Sequence, residues 1–351
     1  MGDSDKFKII FMKKLFIKQN IGIDVSKNDF KGSLFVLTNE FDLVTLGAKT
    51  FVNKLEGFLD LLEWVKGKGK KNIKCTFTME ATGVYFENLA YFLVEQGFTV
   101  HVILPNQSKK YAESLGAKSK TDKIDAQILA QMGIERKLIP WQPLSPNFVS
   151  LKQLTRERDA IIQERISVSN QLHAYKNQGK INQSCISRSE KRIAIFNAQI
   201  KEIEKEIAEI VKSDKVLNRR LDNILSIPGV GLITAVTIVA ETNGFVSIKN
   251  IKQLISFAGL DVRIKESGSW KGKSRISKKG NSHIRKALYF PTFSKIQFDI
   301  ETKRYYERLK TRKTKPMIAA VAVQRKLLGL IYALWKKNEK FCPNYREQLA
   351  A

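Results

Sequence analysis

The chain has 351 residues, and its 61 lysines and arginines against 34 aspartates and glutamates give a net charge of +27. A hydrophobic content of 43% is enough for buried cores, so the chain is not a disordered basic tail. The excess charge favours a nucleic-acid partner over a ribosome-like or membrane-surface protein. It is uneven, since 24 basic and 7 acidic residues lie between Ile251 and the C-terminus.

The scarcity of cysteine and histidine limits the metal and redox chemistry. Three of each, with no Cys-x-x-Cys pair, predict neither a disulfide framework nor a zinc site. The apolar segment from Phe7 to Lys18 is interrupted by lysines and lacks a cleavage-site pattern, so it is not typical of a secretory signal. We also expect no stretch of about 18 apolar residues that could cross a membrane. The expected location is the reducing cytoplasm, with no membrane partner.

The first third of the chain predicts a mixed α/β sheet. Three strands, Ile21–Val25, Gly32–Leu37 and Leu43–Ala48, follow one another through short polar turns. Beyond them the pattern predicts a helix over Val52–Val65, a strand over Ile73–Met79, a helix over Val84–Gln96, a strand over Thr99–Leu104 ended by Pro105, and a helix from the N-cap Thr121 through Met132.

Four carboxylates stand where these elements end or begin. Asp24 ends the first strand and Glu80 the fourth, while Asp122 and Asp125 lie three residues apart on one helical face. Because sites in open α/β sheets gather beyond strand ends, we expect these acids to converge. Each alone could be a turn residue or a favourable first-turn charge. Together they predict a site for Mg²⁺, which prefers oxygen ligands, and phosphoryl transfer on nucleic acid.

The middle of the chain is helical. Residues 137–146 carry three of the eight prolines and predict a linker. Residues 147–211 form two helical segments separated near 177–187, as in a helical hairpin or coiled coil whose seam serves a bundle or a dimer. The turn Ile227-Pro-Gly229-Val-Gly231 follows. It is either a helix-hairpin-helix, whose glycines bring backbone amides to a phosphate, or an ordinary turn between helices.

Small, polar and basic residues then alternate over residues 261–285, before a helix resumes. Ser267 stands among cations, which would stabilise charge developing on a phosphate during nucleophilic attack. On chemistry alone, a flexible phosphate-binding loop is favoured over a nucleophile. The candidate phosphate contacts in this stretch are Lys271, Lys273, Arg275, Lys278, Lys279, Asn281 and Arg285.

Taken in order, several motifs resemble those of the DEDD transposases of insertion sequences, the IS110 family. They are Ile-Gly-Ile-Asp24-Val-Ser-Lys, Glu80-Ala-Thr-Gly-Val-Tyr, Lys-Thr-Asp122-Lys-Ile-Asp125-Ala, Ile227-Pro-Gly-Val-Gly and the segment from Gly259 to Asn281 around Ser267. The similarity extends over residues 20–340. Each motif alone is weak, and the ordered set is specific.

The resemblance implies three domains: a RuvC-like, ribonuclease-H-type domain over residues 18–139, a helical coiled-coil region over 147–215 and a mainly helical C-terminal transposase domain over 216–340. It implies that Asp24, Glu80, Asp122 and Asp125 bind Mg²⁺, two ions per site, and that Ser267, or else Ser269, joins them as nucleophile. It also implies a structured bridge RNA that pairs with donor and target DNA. Base pairing would then select the DNA sequence, since the protein has no clear base-reading helix.

If the acids and Ser267 form one site, the N- and C-terminal domains must meet, within a chain or between chains. We therefore expect at least a dimer, and a tetramer in the active complex. The main alternative is a RuvC-type endonuclease or junction resolvase, which hydrolyses DNA with water and uses the C-terminal region only for binding. A further alternative is a nucleic-acid scaffold without enzymatic activity.

Overall fold

The computed structural model describes residues 15–116, 121–264, 266–272, 275–312 and 315–343. The chain divides into two compact units, Met1–Pro143 and Leu144–Ala351. The first unit contains β1 (Phe16–Val25), β2 (Asp29–Thr38), β3 (Leu43–Val52), α1 (Leu55–Lys68), β4 (Cys75–Glu80), α2 (Glu87–Glu95), β5 (Thr99–Ile103), α3 (Pro105–Ser114) and α4 (Asp122–Glu135).

The strands of the first unit form one mixed sheet in the order β3-β2-β1-β4-β5. Strand β2 is antiparallel to both β1 and β3, whereas β1, β4 and β5 run parallel. This strand order and these directions are those of a ribonuclease-H-type sheet, and the predicted fold class is confirmed. On one face, β1 and β4 bury Ile21, Ile23 and Phe77 against the apolar sides of α1 and α2.

Helix α4 lies on the other face, directly against β1. A Cβ atom built at Gly22 would stand 2.0 Å from the backbone oxygen of Ala126, so any side chain at this position would force the helix away. At Gly133 a Cβ atom would meet the Asn20 amide nitrogen at 2.0 Å. Small residues at the contact therefore let a helix and a strand pack backbone to backbone.

The predicted elements of this unit are present, with shifted ends. Val52, expected to begin a helix, instead ends β3 in register with Asp29, and α1 starts at Leu55. Pro105, expected only to end a strand, begins α3, because proline is well suited to the first helical turn. Thr121 caps α4 as predicted, since its hydroxyl accepts a hydrogen bond from the Ile124 amide.

The second unit is mainly helical. It contains α5 (Pro146–Lys176), α6 (Gln183–Ser213), α7 (Lys215–Leu225), α8 (Leu232–Glu241), α9 (Ile251–Phe257), four two-residue strands, α10 (Ser282–Ala287), α11 (Tyr289–Phe298), α12 (Ile300–Arg312) and α13 (Pro316–Lys337). The strands are β6 (Val262–Arg263), β7 (Glu266–Ser267), β8 (Trp270–Lys271) and β9 (Arg275–Ile276).

Helices α5 and α6 form a long antiparallel hairpin that shares a core with the helices after it. Arg158 pairs with Glu204, and Lys176, nearer the tip, pairs with Glu190. One apolar cluster extends from Leu154 of α5 through the later helices to Trp335 of α13. The predicted boundary at residues 215–216 thus falls inside one compact unit.

Helix α13 is long and apolar enough to cross a membrane, so our expectation that no such stretch exists was wrong. The helix packs as a core element. It buries Leu327, Leu328 and Ile331 in the second unit, and the Trp335 indole nitrogen donates a hydrogen bond to the Gly244 carbonyl at 3.0 Å. A buried helix of a folded domain meets the same length and composition criteria as a membrane span.

Candidate active site and the serine hairpin

The direction of α4 brings its first turn to the Asp24 end of β1. The Asn20 amide donates to the Ala130 carbonyl at 3.0 Å, and two residues further along the strand Gly22 touches Ala126. Strand and helix therefore run in opposite directions. Continuing from Gly22 to Asp24 on the strand corresponds to moving from Ala126 into the first helical turn, which carries two of the predicted acids.

Lys31 lies at the same end of the sheet as Asp24 and contacts Asp122. It pairs with Asp24 across the β1–β2 ladder, and directly paired residues present their side chains on the same face. The Lys31 ammonium group donates to Asp122 Oδ2 at 3.0 Å, where both side chains are partly exposed. One lysine therefore links the strand that holds Asp24 to the helix that holds Asp122.

Glu80 belongs to the same end of the same face. The parallel ladder pairs Ile23 with Met79, so Asp24 and Glu80 are the next residues on adjacent strands. Both are half-buried. The Ser108 hydroxyl, buried in α3, donates to Glu80 Oε2, and the Thr82 hydroxyl lies 3.5 Å from Oε1.

The structure thus brings Asp24, Glu80, Asp122 and Asp125 to one end of the α4 face of the sheet. Asp122 is exposed and Asp125 is half-buried. Within the described residues, no three acids, histidines or cysteines lie close enough to hold one metal ion. The donor set consists of carboxylate oxygens alone, and its chemistry suits a hard divalent cation.

Ser267 lies in the second unit, on a two-stranded arm that we call the serine hairpin, formed by the described residues 262–264, 266–272 and 275–276. Strands β6 and β9 pair at its base, and β7 and β8 pair nearer its tip. Gly268 has a φ of 57° at the first turn position, where a two-residue hairpin turn favours glycine. Ser267 is exposed, and its cross-strand partner Trp270 keeps 59% of its surface accessible.

The base of the serine hairpin is anchored by close backbone contacts. The Ser277 amide and hydroxyl both donate to Asp261, and the Lys278 amide donates to the Gly259 carbonyl at 3.1 Å. Gly259 has a φ of 68°, and a Cβ atom on Gly280 would stand 2.4 Å from the Gly259 nitrogen. The two glycines let the strands of the arm leave the core side by side.

The predicted phosphate contacts differ in their surroundings. Arg275, Lys278 and Lys279 are exposed on or beside the serine hairpin. Lys273 and the side chain of Lys271 lie outside the described residues. Asn281 and Arg285 also have internal roles: Asn281 accepts a hydrogen bond from the Ile284 amide as the N-cap of α10. The Arg285 guanidinium donates to the carbonyls of Ala258, Gly280 and Asn281 at 2.8, 3.0 and 3.2 Å.

Asn281 is also part of a network that the sequence did not predict. Its amide donates to Glu241 Oε2 at 2.6 Å, and Arg156 binds the same carboxylate through Nε at 2.6 Å and a terminal nitrogen at 2.9 Å. Burial alone would raise the pKa of Glu241. The hydrogen bonds from Arg156 and Asn281 and the positive charge of Arg156 outweigh burial and hold that pKa below its ordinary value.

The predicted helix-hairpin-helix glycines lie between α7 and α8. Gly229 has a φ of 85°, and a Cβ atom there would stand 2.8 Å from the Ser294 hydroxyl. Gly231 is the N-cap residue of α8, with open space beside it. Gly229 therefore permits a tight turn and a close approach to α11, and Gly231 leaves the start of α8 accessible.

Sequence reasoning missed Lys31, Ser108 and Trp270. The Lys31 contact depends on the register of the first hairpin, which could have been inferred from the short turn after Asp24. Ser108 lies on α3, a helix that was not predicted. Trp270 could have been identified as the residue facing Ser267 across a two-residue Gly-Ser turn.

Comparisons with known proteins identify the family to which this chain belongs. The DEDD transposase description of the IS110 family matches residues 21–178, and the transposase description of the IS116/IS110/IS902 family matches residues 221–307. The chain belongs to the IS110 family of insertion-sequence transposases. It is an enzyme that cuts DNA, with DNA as its partner, and its DEDD type points to a divalent metal ion.

The relatives include proteins named for gene inversion and for transposition. Pilin gene-inverting proteins of Moraxella bovis and Moraxella lacunata are each 30% identical over 330 residues, which are 92% of this chain and 98% of theirs. A transposase for insertion sequence element IS1328 of Yersinia enterocolitica is 23% identical over 239 residues, 61% of this chain and 69% of that protein.

Among solved structures, RuvC of T. thermophilus in complex with a Holliday junction substrate is similar with a TM-score of 0.27. It is 11% identical and covers 35% of this chain and 99% of its own. A Ppx/GppA family member of Aquifex aeolicus has a TM-score of 0.22 at 9% identity, over 95% of this chain and 97% of its own. Because both scores are below 0.5, the fold assignment depends on the strand order described above.

Proposed function

We propose that this transposase recombines DNA through a covalent serine–DNA link, with Mg²⁺ at the acidic end of the sheet and a structured RNA as guide. The observation that carries the proposal is the convergence of Asp24, Glu80 and the first turn of α4 on one face of a ribonuclease-H-type sheet. In a chain of charge +27, acids gathered at the edge of a core are best explained by bound cations and a phosphodiester.

Asp24, Glu80, Asp122 and Asp125 would hold the metal. Bound Mg²⁺, two ions in our proposal, would supply positive charge at the phosphate, polarising it for attack. Glu80 is oriented by the hydrogen bond from Ser108, which fixes one oxygen and leaves the other near Thr82. Lys31 neutralises Asp122 and lies beside Asp24 in the ladder, so it can also contact a phosphate oxygen.

Ser267 is the proposed nucleophile, with Ser269 as the alternative. The serine oxygen bonds to phosphorus and its proton passes to solvent. One phosphorus–oxygen bond to deoxyribose breaks, and the leaving oxygen takes up a proton to become a hydroxyl. A hydroxyl of the second DNA strand then attacks the same phosphorus and releases the serine, so the number of phosphodiester bonds is conserved. The exposed Trp270 opposite Ser267 can stack on a base beside the scissile phosphate.

The guide RNA and the oligomer follow from what such a reaction needs. An RNA that pairs with donor and target DNA would select both sites by base pairing, while the protein binds backbone. Recombination handles two duplexes, so we propose an oligomer, a dimer or tetramer, in which the acids and Ser267 form composite sites. The names of the gene-inverting relatives favour recombination over simple hydrolysis as the outcome.

The test is a trapping assay with purified protein, RNA from the flanks of its own element, Mg²⁺ and labelled donor and target DNA. Under denaturing conditions we expect a labelled protein–DNA adduct that requires Asp24 and is lost in Ser267→Ala, with Ser269→Ala as the matched control. Loss of the adduct in Ser269→Ala but not in Ser267→Ala would identify Ser269 as the nucleophile. Cleaved DNA without adduct, equal in both variants, would make the protein a hydrolytic nuclease of the RuvC type.

A further inference from the structure

A groove of about 970 Å³ lies in the second unit, along α12 and α13, away from the serine hairpin in sequence. Its floor is apolar, formed by Val323, Leu327 and Leu330 of α13. Helix α12 forms a wall and has no buried residue along its 13 positions. The α12 side chains that line the groove are therefore accessible to a ligand bound there.

The charges lining the groove leave a positive excess. Lys295 and Asp299 are committed to each other in a partly buried ion pair. Arg304 and Arg308, four residues apart on one face of α12, are exposed and form no ion pair with any acid in the described part of the chain. Lys326 of α13 and Glu301 of α12 also line the groove, so its lining has four cations and two acids.

Aromatic rings lie among these cations. The Tyr305 ring centroid is 3.6 Å from the Lys326 ammonium and 5.6 Å from the Arg308 guanidinium carbon. Phe298, the last residue of α11, also lines the groove and keeps 74% of its surface exposed. Cations that follow a backbone, interleaved with rings on which bases stack, are the combination that binds unpaired strands.

We infer that this groove binds a single-stranded segment of nucleic acid, with Arg304 and Arg308 on adjacent phosphates and an aromatic side chain against a base. A duplex keeps its bases stacked inside and would offer only phosphates to the rim, whereas an unpaired nucleotide can enter a groove between two helices. The inference depends on the proposed function only for the source of the strand. Strand exchange exposes unpaired DNA, and a guide RNA contains unpaired loops.

The experiment measures binding rather than cleavage, in the full chain carrying Asp24→Asn. Fluorescence anisotropy follows labelled single-stranded DNA, single-stranded RNA and duplex DNA over a range of salt concentrations. The double variant Arg304→Ala/Arg308→Ala should make the negative slope of log affinity against log salt for a single strand shallower by about 1.4, because each lost phosphate contact removes about 0.7 from its magnitude. The single strand that loses more affinity, DNA or RNA, identifies the natural occupant.

The matched control is Lys303→Ala/Lys310→Ala, which removes the same charge from another face of the same helix. We expect a smaller change in slope for this pair, and unchanged melting temperatures for both variants because α12 has no buried residue. If the slope changes equally in the two double variants, the arginines contribute only general surface charge. If the slope does not change in the arginine variant, the groove does not bind the strand. If the slopes are as expected but the unmutated protein forms no adduct in the trapping assay, the serine mechanism is rejected and the groove is retained.

Discussion

The acidic end of the sheet and the serine hairpin are built in opposite ways. Asp24 and Glu80 follow the fully buried Ile23 and Met79 on adjacent strands, and α4 packs against Gly22 at backbone distance. Ser267 is on a two-residue strand whose burial pattern is exposed throughout, next to a glycine turn. The first region gets its geometry from a packed core, and the second from a short ladder and an anchored base.

This difference matches the two chemical tasks we propose. Metal ligands must be held within fractions of an ångström, which elements of a rigid core achieve better than loops. A nucleophile that must reach a phosphate in bound DNA is better placed on a projecting arm. Mutations should therefore damage the acidic end through packing and the hairpin through local conformation.

The largest effect is expected for Gly22→Val. Its Cβ atom would collide with the backbone of α4, and overpacking of this kind costs more than about 3 kcal/mol. Hydrogen exchange should show lost protection in β1 and β4, with the second unit still protected. Gly67→Ala, in open space within α1, is the control and should stabilise slightly. Wild-type protection of β1 in Gly22→Val would contradict the packing argument.

A smaller effect is expected for Arg156→Met. Arg156 binds Glu241, which also holds Asn281 near the base of the serine hairpin. The Glu241 side chain is 1% exposed and would lose its bidentate partner, at a cost of about 2 to 3 kcal/mol since Arg156 is itself partly exposed. Urea unfolding measures the loss. Arg158→Met, whose partner Glu204 is better exposed, should cost less than about 1 kcal/mol. Equal losses would indicate that burial of Glu241 is unimportant.

Acid should produce a related and weaker destabilisation. The folded-state pKa of Glu241 is lowered, so its contribution is present above the ordinary glutamate pKa of about 4.3 and is lost as pH falls through the folded value. Urea midpoints from neutral pH to about pH 3 should fall more steeply for wild type than for Glu241→Gln. Parallel curves for the two proteins would mean that this carboxylate does not contribute.

The smallest effect on stability is expected for Gly268→Ala. Its positive φ costs a residue with a side chain about 1 kcal/mol in an exposed turn, which should lower the melting temperature by no more than about 4 °C. Adduct formation in the trapping assay should fall several-fold, because the strain disturbs the Ser267–Trp270 pair. Gly268→Asn, which tolerates positive φ, should retain more activity than alanine. Full activity in Gly268→Ala would show that the conformation of this turn does not affect adduct formation.

Much of the first unit could be predicted because its signals are local. Strand alternation, the N-cap at Thr121 and the ends of β1 and β4 indicated where Asp24 and Glu80 would lie. The close contact between β1 and α4 was not predictable, since Gly22 shows only that a side chain is absent, not what fills the space. The Lys31–Asp122 contact spans 91 residues and depends on that packing.

The second unit was harder because its informative contacts join distant segments. The two-residue strands of the serine hairpin are too short for a periodic pattern, so the sequence predicted only a basic loop. Asn281 and Arg285, predicted as phosphate contacts by composition, also bind Glu241 and backbone carbonyls brought near by α8 and α9, which the sequence did not indicate. A basic or amide side chain does not reveal whether it faces solvent or a core.

The Arg156–Glu241–Asn281 network gives the α5–α6 hairpin a mechanical meaning. Twenty residues of α5 extend beyond Arg156, a rod of about 30 Å at 1.5 Å per residue. A force applied at the tip of α5 would act through this length on the Glu241 carboxylate. The same carboxylate holds Asn281, close to the base of the serine hairpin. A partner bound at the tip of the α5–α6 hairpin would therefore be coupled, through Arg156, Glu241 and Asn281, to the base of the serine hairpin.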